Sequence, residues 1–404
     1  MSVEIVHSGE LSTAAAVFAQ SPVFDGTTCW FPANPWQRPV RRQDLAGENI
    51  AEFLSEETLC TNRSLVVHRL LFNIYEQDLL FLPERMLSEK CLGDFRAFYD
   101  PTLVGHGRSL KPLLERVAFS VLESSNHIPP ITIGSEFEVY VLSVIDGQES
   151  QGSKLCESLL SSCDPKSAFR MLLVQQASDF LSEASAMGRS LLGNFGKVQS
   201  ALMKAFIDEY GKGIHSQKHS TLFEKALDSV GLSSEAHYYY NFYLPTSLML
   251  VNYFHYVCGN KWLWFRYLGA LYYAEASIPH YNHLISDGLR KVFGGKANSK
   301  YFDEHVHIDK YHRTMVLDRM IKPSLETYGD VIVPDLLIGF ETFRRLQKYA
   351  DRDLMEQVRF AQRLRVGMVD ETDRLLAESD NRPDYSKSMV FDEARIRDVG
   401  PVNR

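Results

Sequence analysis

Two histidines and an aspartate share one face of a predicted helix. In the segment DEHVHIDKYHRTM (303–315), His305, Asp309 and His312 are spaced by four and then three residues. At about 100° per residue, their side chains fall within roughly 60° of arc and point the same way. Two imidazoles and one carboxylate form a ligand set that suits iron with open coordination positions. The spacing indicates metal-dependent redox chemistry, although such patterns also occur on solvated helix faces; His307, on the opposite side, is predicted to be a surface residue.

Acidic residues on apolar faces supply further candidate ligands. Glu183 lies on a predicted apolar helix face, and Glu209 follows Phe206 and Ile207. Burial of an acid costs free energy unless the acid is paired or bound to a metal. Asp208 precedes Glu209 but points about 100° away on a helix, so only one of the two acids is expected to face the interior.

Residue spacing alone does not decide two of the candidate ligands. His215 and His219 both follow Glu209 across a glycine-rich helix end, and either could be a ligand. Glu275, near the end of WLWFRYLGALYYAEASIP (262–279), is either a buried ligand or a glutamate that reaches solvent before Pro279. Helical bundles hold two irons with carboxylates and histidines from several facing helices. Four acids would balance the charge of two Fe(II) ions and make burial of the cluster tolerable.

The elements that would position these residues are predicted to be mainly α-helical. The expected helices span about 50–59, 62–80, 84–98, 110–125, 166–192, 197–216, 220–229, 233–258, 260–277, 280–293, 298–321, 323–348 and 351–378. The β-branched run ITIGSEFEVYVLSVI (131–145) predicts the one strand, although so short a run is also compatible with a helix. Residues 1 to about 50 are predicted to form an irregular arm.

The length of 404 residues favours more than one domain or a domain with an extension. The turn-rich residues 146–154 predict a boundary. The expected organisation is an N-terminal helical extension over residues 1–150, a core over 160–325, C-terminal helices over 326–378 and a polar tail over 379–404.

The composition of the chain indicates which classes of binding partner and which cellular location to expect. The formal net charge is −8 and no basic run is present, so nucleic-acid binding is not expected. No apolar stretch approaches about 18 residues, which predicts no membrane-spanning helix and no membrane partner. The N-terminus lacks the features of a secretory signal. The six cysteines include no CxxC pair, which favours a reducing, cytoplasmic location.

Taken together, the candidate residues resemble the haem-oxygenase-like di-iron oxidase family. Its members carry a Glu on the first core helix, a Glu followed ten residues later by His, and His-x3-Asp-x2-His on a last helix. The matching residues are Glu183, Glu209 with His219, and His305 with Asp309 and His312. The resemblance covers about residues 166–325, implies a haem-oxygenase-like helical bundle, and selects His219 over His215.

Glu275 extends the match to the N-oxygenase branch of the family, where an extra carboxylate precedes the last core helix. The resemblance implies that Glu209 bridges two Fe(II)/Fe(III) ions, with Glu183, Asp309 and His312 on one iron and His219, Glu275 and His305 on the other. Glu209 and Glu275 are the expected catalytic carboxylates. Dioxygen is expected to form a peroxo-diferric species that oxidises an amine nitrogen of a small molecule to hydroxylamine or nitro, as in natural-product biosynthesis, with an external reductant restoring Fe(II).

The same resemblance implies a homodimer formed through the N-terminal extension. No cupin-type domain is expected after the core, nor the rearrangement attributed to that domain. Two alternatives remain at this point. The first is a desaturase or C–C lyase of the same family acting on a fatty acid or amino acid, a branch that generally lacks the equivalent of Glu275. The second is a non-catalytic or thiaminase-like helical scaffold without metal. A haem oxygenase is disfavoured because the face that would hold haem is crowded with acids.

Overall fold

A computed structural model describes residues 8–24, 31, 34–40, 42–83, 88–124 and 128–377, without the side chains of residues 8, 42 and 365–377. Throughout these residues the regular structure is helical, with no β-strand. The predicted mainly α fold class is confirmed. The predicted polar tail over residues 379–404 lies outside the described residues, as does part of the predicted N-terminal arm.

The main helices follow one another in this order: α1 (Ser8–Phe18), α2 (Asn62–Glu76), α3 (Glu89–Phe98), α4 (Pro101–Glu123), α5 (Gly134–Gln151), α6 (Lys154–Leu160), α7 (Pro165–Phe180), α8 (Gly196–Glu209), α9 (His219–Ser229), α10 (Pro245–Gly259), α11 (Trp264–Phe293), α12 (Lys300–Val316), α13 (Lys322–Tyr328) and α14 (Val333–Ala377). Short helical turns at Arg42–Leu45 and Ser185–Gly188 lie between them. A five-residue π-helical turn, Leu317–Ile321, links α12 to α13.

Local sequence signals explain several helix starts. Asp100 and Asp164 cap α4 and α7 by accepting hydrogen bonds from backbone amides of the first turn. Each is followed by a proline, whose fixed φ and missing N–H suit the first helical position. Thr61 caps α2 in the same way, through a hydrogen bond from the amide of Ser64.

The structure corrects several predicted elements. The strand expected over residues 131–145 is wrong, because residues 134–151 form α5 and bury Phe137, Val141 and Ile145 at helical spacing. The helix expected at about 50–59 contains only one 3-10 turn, and the arm expected before residue 50 contains α1. Two predicted helices over 260–293 are the single helix α11, which continues through Pro279. The pair expected over 323–378 is replaced by the short α13 and the 45-residue α14.

Two buried apolar clusters meet along α12. The first joins α1, α2, α4, α10, α11 and the start of α14, and it includes Met315 and Val316 at the end of α12. The second joins α6, α7, α9 and α11, and it includes Tyr301 and Phe302 at the start of α12. The polar face of α12, which carries the predicted ligands, therefore lies between two apolar clusters.

The chain divides into two compact units, residues 1–358 and 359–404, and the candidate site lies within the first. The domain boundaries predicted from the sequence stay predictions. Among the described helices, none combines the length and the apolar character needed to cross a membrane.

The contact between α11 and α14 depends on Gly269. A Cβ atom at this position would lie 1.9 Å from the carbonyl oxygen of Leu336. We expect Gly269→Ala to lower the free energy of unfolding by about 1–3 kcal/mol, because backbone atoms of two packed helices must move apart. The measurement is the urea unfolding midpoint of the variant and the parent.

Gly147→Ala is the matched control, because a Cβ at this position, inside the C-terminal part of α5, meets nothing within 4 Å. Alanine should stabilise that helix by about 0.5–1 kcal/mol through its better helix propensity. A Gly269→Ala variant as stable as the parent would contradict the close approach of α11 and α14.

Candidate metal centre

A turn that interrupts the helical structure after α7 positions Glu183. The predicted helix over 166–192 is interrupted, since α7 ends at Phe180 and a turn of residues 181–184 follows. Ala184 has a φ of 62°, a left-handed conformation that non-glycine residues seldom adopt. Glu183 therefore projects from a turn rather than from a continuous helix. Its carboxylate accepts a hydrogen bond from the Tyr301 hydroxyl, with Oε1 2.8 Å from that oxygen.

A left-handed turn brings His219 back to Glu209. Gly211, Lys212 and Gly213 have φ values of 61°, 56° and 82°. A Cβ at residue 211 would lie 2.5 Å from backbone atoms of residues 217 and 218, so only glycine fits there. His219 then starts α9, with its Nδ1 2.6 Å from Glu209 Oε2. His215 is exposed in the intervening turn.

Helices α11 and α12 present the remaining predicted ligands. His305, Asp309 and His312 are buried on one face of α12, and His307 is exposed on the other, as the spacing predicted. Glu275 is buried on α11, with Oε2 3.2 Å from His312 Nδ1. Ser286, towards the C-terminal end of α11, donates a hydrogen bond to Asp303, near the start of α12. Because Glu275, earlier in α11, lies beside His312, later in α12, the two helices run antiparallel.

The structure gathers four candidate ligands into a first group: Glu183, Glu209, His219 and His305. One donor atom from each lies within 4.8 Å of all the others. His305 Nε2 is 3.0 Å from Glu183 Oε1 and 3.1 Å from His219 Nδ1. The other ring nitrogen of His305, Nδ1, donates to the carbonyl oxygen of Tyr301 at 2.8 Å, which leaves Nε2 for a metal.

The second group consists of Glu209, Asp309 and His312, whose donor atoms also lie within 4.8 Å of one another. His312 Nδ1 faces three carboxylates, at 3.2 Å from Glu275 Oε2, 3.4 Å from Glu209 Oε1 and 3.4 Å from Asp309 Oδ1. Glu209 belongs to both groups, and its two oxygens face opposite ways, with Oε2 towards His219 and Oε1 towards His312.

The division of the candidate ligands between the two groups differs from the expected one. Glu183 was expected beside Asp309 and His312, and Glu275 beside His219 and His305. Residues 305 and 312 are about 10 Å apart along α12, since each helical residue rises about 1.5 Å. The carboxylate of Glu183 contacts the 305 end of this face, whereas the antiparallel α11 places Glu275 at the 312 end.

Without a metal, opposite charges hold the site together. Burial opposes the ionisation of Glu209, but the facing histidines lower the pKa of Glu209 to about 2. Burial likewise opposes protonation of His312, yet Glu275, Asp309 and Glu209 raise the pKa of His312 to about 12. The pKa values of His219 and His305 are also raised by their carboxylate neighbours, against the effect of burial. Burial, assisted by the charges of Glu275 and Glu209, raises the pKa of Asp309 to about 7.

The donor atoms fit a metal. Both carboxylate oxygens of Asp309 and Oε2 of Glu183 are fully buried and have no partner in hydrogen-bond geometry, although Asp309 Oδ1 is 3.4 Å from His312 Nδ1. Buried polar atoms are nearly always satisfied in folded proteins, so three such oxygens in one cluster need an explanation. Bound cations would satisfy all of them, and the mixed imidazole and carboxylate set suits iron.

Sequence reasoning missed two polar contacts of this site. Asp208, expected to point outwards, is buried beside Glu209 and lies 3.4 Å from His312 Nε2. Lys204 and Lys212, one turn to either side, form ion pairs with it. The two lysines, four residues before and four residues after Asp208, were the sequence signal for its burial, because a carboxylate between two cations can be buried. Tyr301 was also missed, although it precedes His305 by one helical turn.

Comparison with known proteins agrees with this geometry. Residues 170–342 match the family described as iron-containing redox enzymes. The chain is 41% identical over 350 residues to the nitrosourea synthase of Streptomyces achromogenes subsp. streptozoticus, an alignment that covers 86% of this chain and 74% of that protein. The chain therefore belongs to the haem-oxygenase-like di-iron oxidase family, in its N-oxygenase branch, and is an oxidoreductase.

Iron content should depend on Glu209 more than on any other single residue, because Glu209 belongs to both ligand groups. We expect the parent to retain about two irons per chain and Glu209→Ala to retain less than about one. Iron is measured by a colorimetric chelator assay after anaerobic Fe(II) loading and desalting. His307→Ala, an exposed histidine on the same helix as three candidate ligands, is the control and should match the parent. Parental iron content in Glu209→Ala would contradict the shared carboxylate.

Metal affinity should increase with pH. His219, His305 and His312 hold protons more tightly than free histidine, and a metal binds only an unprotonated ring nitrogen. The metal must displace these protons, which becomes easier as the pH rises. We expect the apparent Fe(II) affinity, measured anaerobically against a competing chelator and corrected for the chelator's own protonation, to rise more than about tenfold between about pH 6 and pH 8. A constant affinity over this range would contradict the ion pairing described for the metal-free site.

Proposed function

We propose that this protein is a non-haem di-iron monooxygenase that oxidises an amine nitrogen of a small molecule to hydroxylamine or nitro, in the biosynthesis of a natural product. The observation that carries this proposal is the position of Glu209, whose two oxygens face two separate groups of candidate ligands. One shared carboxylate between two such groups is the arrangement that helical di-iron proteins use.

In this proposal Glu183, His219 and His305 would hold one iron, Asp309, His312 and Glu275 would hold the other, and Glu209 would be a ligand shared by both. Two irons held there would supply the redox chemistry that activates dioxygen. His305 would bind through Nε2, because its Nδ1 is engaged by a backbone carbonyl, and His312 would bind through Nδ1, which faces the candidate carboxylates. Burial of these side chains between two apolar clusters keeps bulk water from the reacting centre.

The charge around Glu183 supports an amine as the substrate. Asp179 lies four residues before Glu183 at the end of α7. Burial, and then the charges of Glu183 and Glu76, raise the pKa of Asp179 to about 7. Close carboxyl groups disfavour one another's ionisation. Iron would compensate the charge of Glu183, and a cationic group of the substrate would compensate that of Asp179, which is not a candidate ligand. Ammonium and guanidinium groups carry such a charge, so an amino acid, a guanidine or an aminoazole would suit this side of the site.

The similarity to a nitrosourea synthase supports nitrogen, rather than carbon, as the atom oxidised. Glu275 gives the same indication, since the resemblance associates a carboxylate at this position with the N-oxygenase branch. An external electron donor is part of the proposal, because irons oxidised during turnover must return to Fe(II). The homodimer and the cytoplasmic location remain predictions from the sequence.

A screen of small amines tests the proposal. The anaerobically Fe(II)-loaded protein is mixed with amino acids, guanidines and aminoazoles, exposed to 18O-labelled dioxygen, and the products are analysed by mass spectrometry. We expect at least one amine to gain labelled oxygen on nitrogen, because the half-buried carboxyl groups of Asp179 and Glu183 favour cationic nitrogen compounds. Glu209→Ala should give no such product, and His307→Ala should give the parental amount.

Other products would identify a different reaction. Alkenes or chain-shortened products, formed by the parent as well as by Glu275→Ala, would contradict N-oxygenation and favour the desaturase or C–C lyase alternative. A protein that takes up no iron from excess Fe(II), and shows no transient colour with dioxygen, would contradict the di-iron assignment itself.

A further inference from the structure

Asp208, a buried carboxylate outside both ligand groups, contacts the predicted ligand His312 on the side of its ring that faces away from the other candidate ligands. The Asp208 side chain is only 1% exposed, and its Oδ2 lies 3.4 Å from His312 Nε2. Lys204 and Lys212 are ion-paired with the same carboxylate. Asp208 therefore contacts the ring nitrogen of His312 that does not face Glu209, Glu275 and Asp309.

We infer that Asp208 is a positioning residue for one of the two metal positions, and that Tyr301 has the equivalent role for the other. The inference rests on the ligands proposed above. A carboxylate can only accept a hydrogen bond, so Asp208 requires the proton of His312 on Nε2 and leaves Nδ1 to the metal. Partners of this kind fix the orientation of a ligating imidazole and increase its basicity.

Tyr301 contacts candidate ligands near the start of α12, at the end of the helix opposite to His312. Its hydroxyl donates to Glu183 Oε1 at 2.8 Å, and its carbonyl oxygen accepts from His305 Nδ1 at 2.8 Å. One residue thus orients both a carboxylate and an imidazole of the first group. Tyr301 is itself fixed, because its ring is fully buried against Phe180 and Phe223.

The two contacts share no residue, so each should affect a single metal position. Among the candidate ligands, Asp208 has its polar contact with His312 of the second group. Tyr301 has its polar contacts with Glu183 and His305, and its ring lies beside His219; all three belong to the first group together with the shared Glu209. A general loss of stability would instead weaken both positions together. This difference separates a positioning role from a merely structural one.

The test is a titration with Mn(II), which binds the same ligand types as Fe(II) and is stable in air. Free Mn(II) is followed by its EPR signal in the parent, Asp208→Ala, Asp208→Asn, Tyr301→Phe and His312→Ala, and in the double variant Asp208→Ala with His312→Ala. The bound spectrum also distinguishes a coupled Mn(II) pair from a single ion.

We expect Asp208→Ala to weaken one of the two Mn(II) sites by about 10- to 100-fold and to leave the other unchanged. Asp208→Asn should lie between Asp208→Ala and the parent, since the amide oxygen still accepts a hydrogen bond but carries no charge. Tyr301→Phe should weaken one site as well, and in His312→Ala the removal of Asp208 should change nothing further.

Three results would overturn the inference. They are parental binding by Asp208→Ala, equal weakening of both sites by that variant, or further weakening when Asp208→Ala is added to His312→Ala. Failure of the proposed function is distinguishable from all three. Without a di-metal site the parent itself would bind no pair of ions, and a parent that binds the pair but oxidises no amine would leave the Mn(II) result unaffected.

Discussion

The structure depends on the joint burial of carboxylates and imidazoles whose opposite charges compensate one another. Four carboxylates and three imidazoles meet in the interior, where an isolated charge would cost several kcal/mol. Protons on the histidines supply the compensating charge in the metal-free state, as the raised pKa values of His219, His305 and His312 indicate. Two divalent cations would supply it in the loaded state. The two apolar clusters on either side of this polar layer exclude the water that would otherwise solvate it.

Helical periodicity predicted the class of fold, but it could not predict where helices are interrupted. The run over residues 131–145 is rich in β-branched residues, yet α5 buries its apolar side chains at helical spacing, so tertiary packing overrides local propensity. Pro279 was expected to end a helix, but α11 continues through it. The turn after Phe180 was not foreseen either, because no glycine or proline marks it and Ala184 adopts the left-handed conformation.

The candidate ligands could be predicted individually, because spacing on α12 and a family pattern place each one. Their division into two spatial groups could not, because it depends on the antiparallel pairing of α11 with α12 and on the turn that carries Glu183. Asp208 was assigned to the surface by a rule that only one of two adjacent acids can face inwards. That rule fails here because Lys204 and Lys212 compensate the buried charge of Asp208.

Anomalous X-ray scattering at the iron absorption edge, from crystals of the Fe(II)-loaded protein, tests the central claim most directly. Glu209 between two ligand groups predicts two anomalous peaks, about 3.5–4 Å apart, one on the side of His219 and the other on the side of His312. A single peak, or iron bound away from Glu209, would contradict the account.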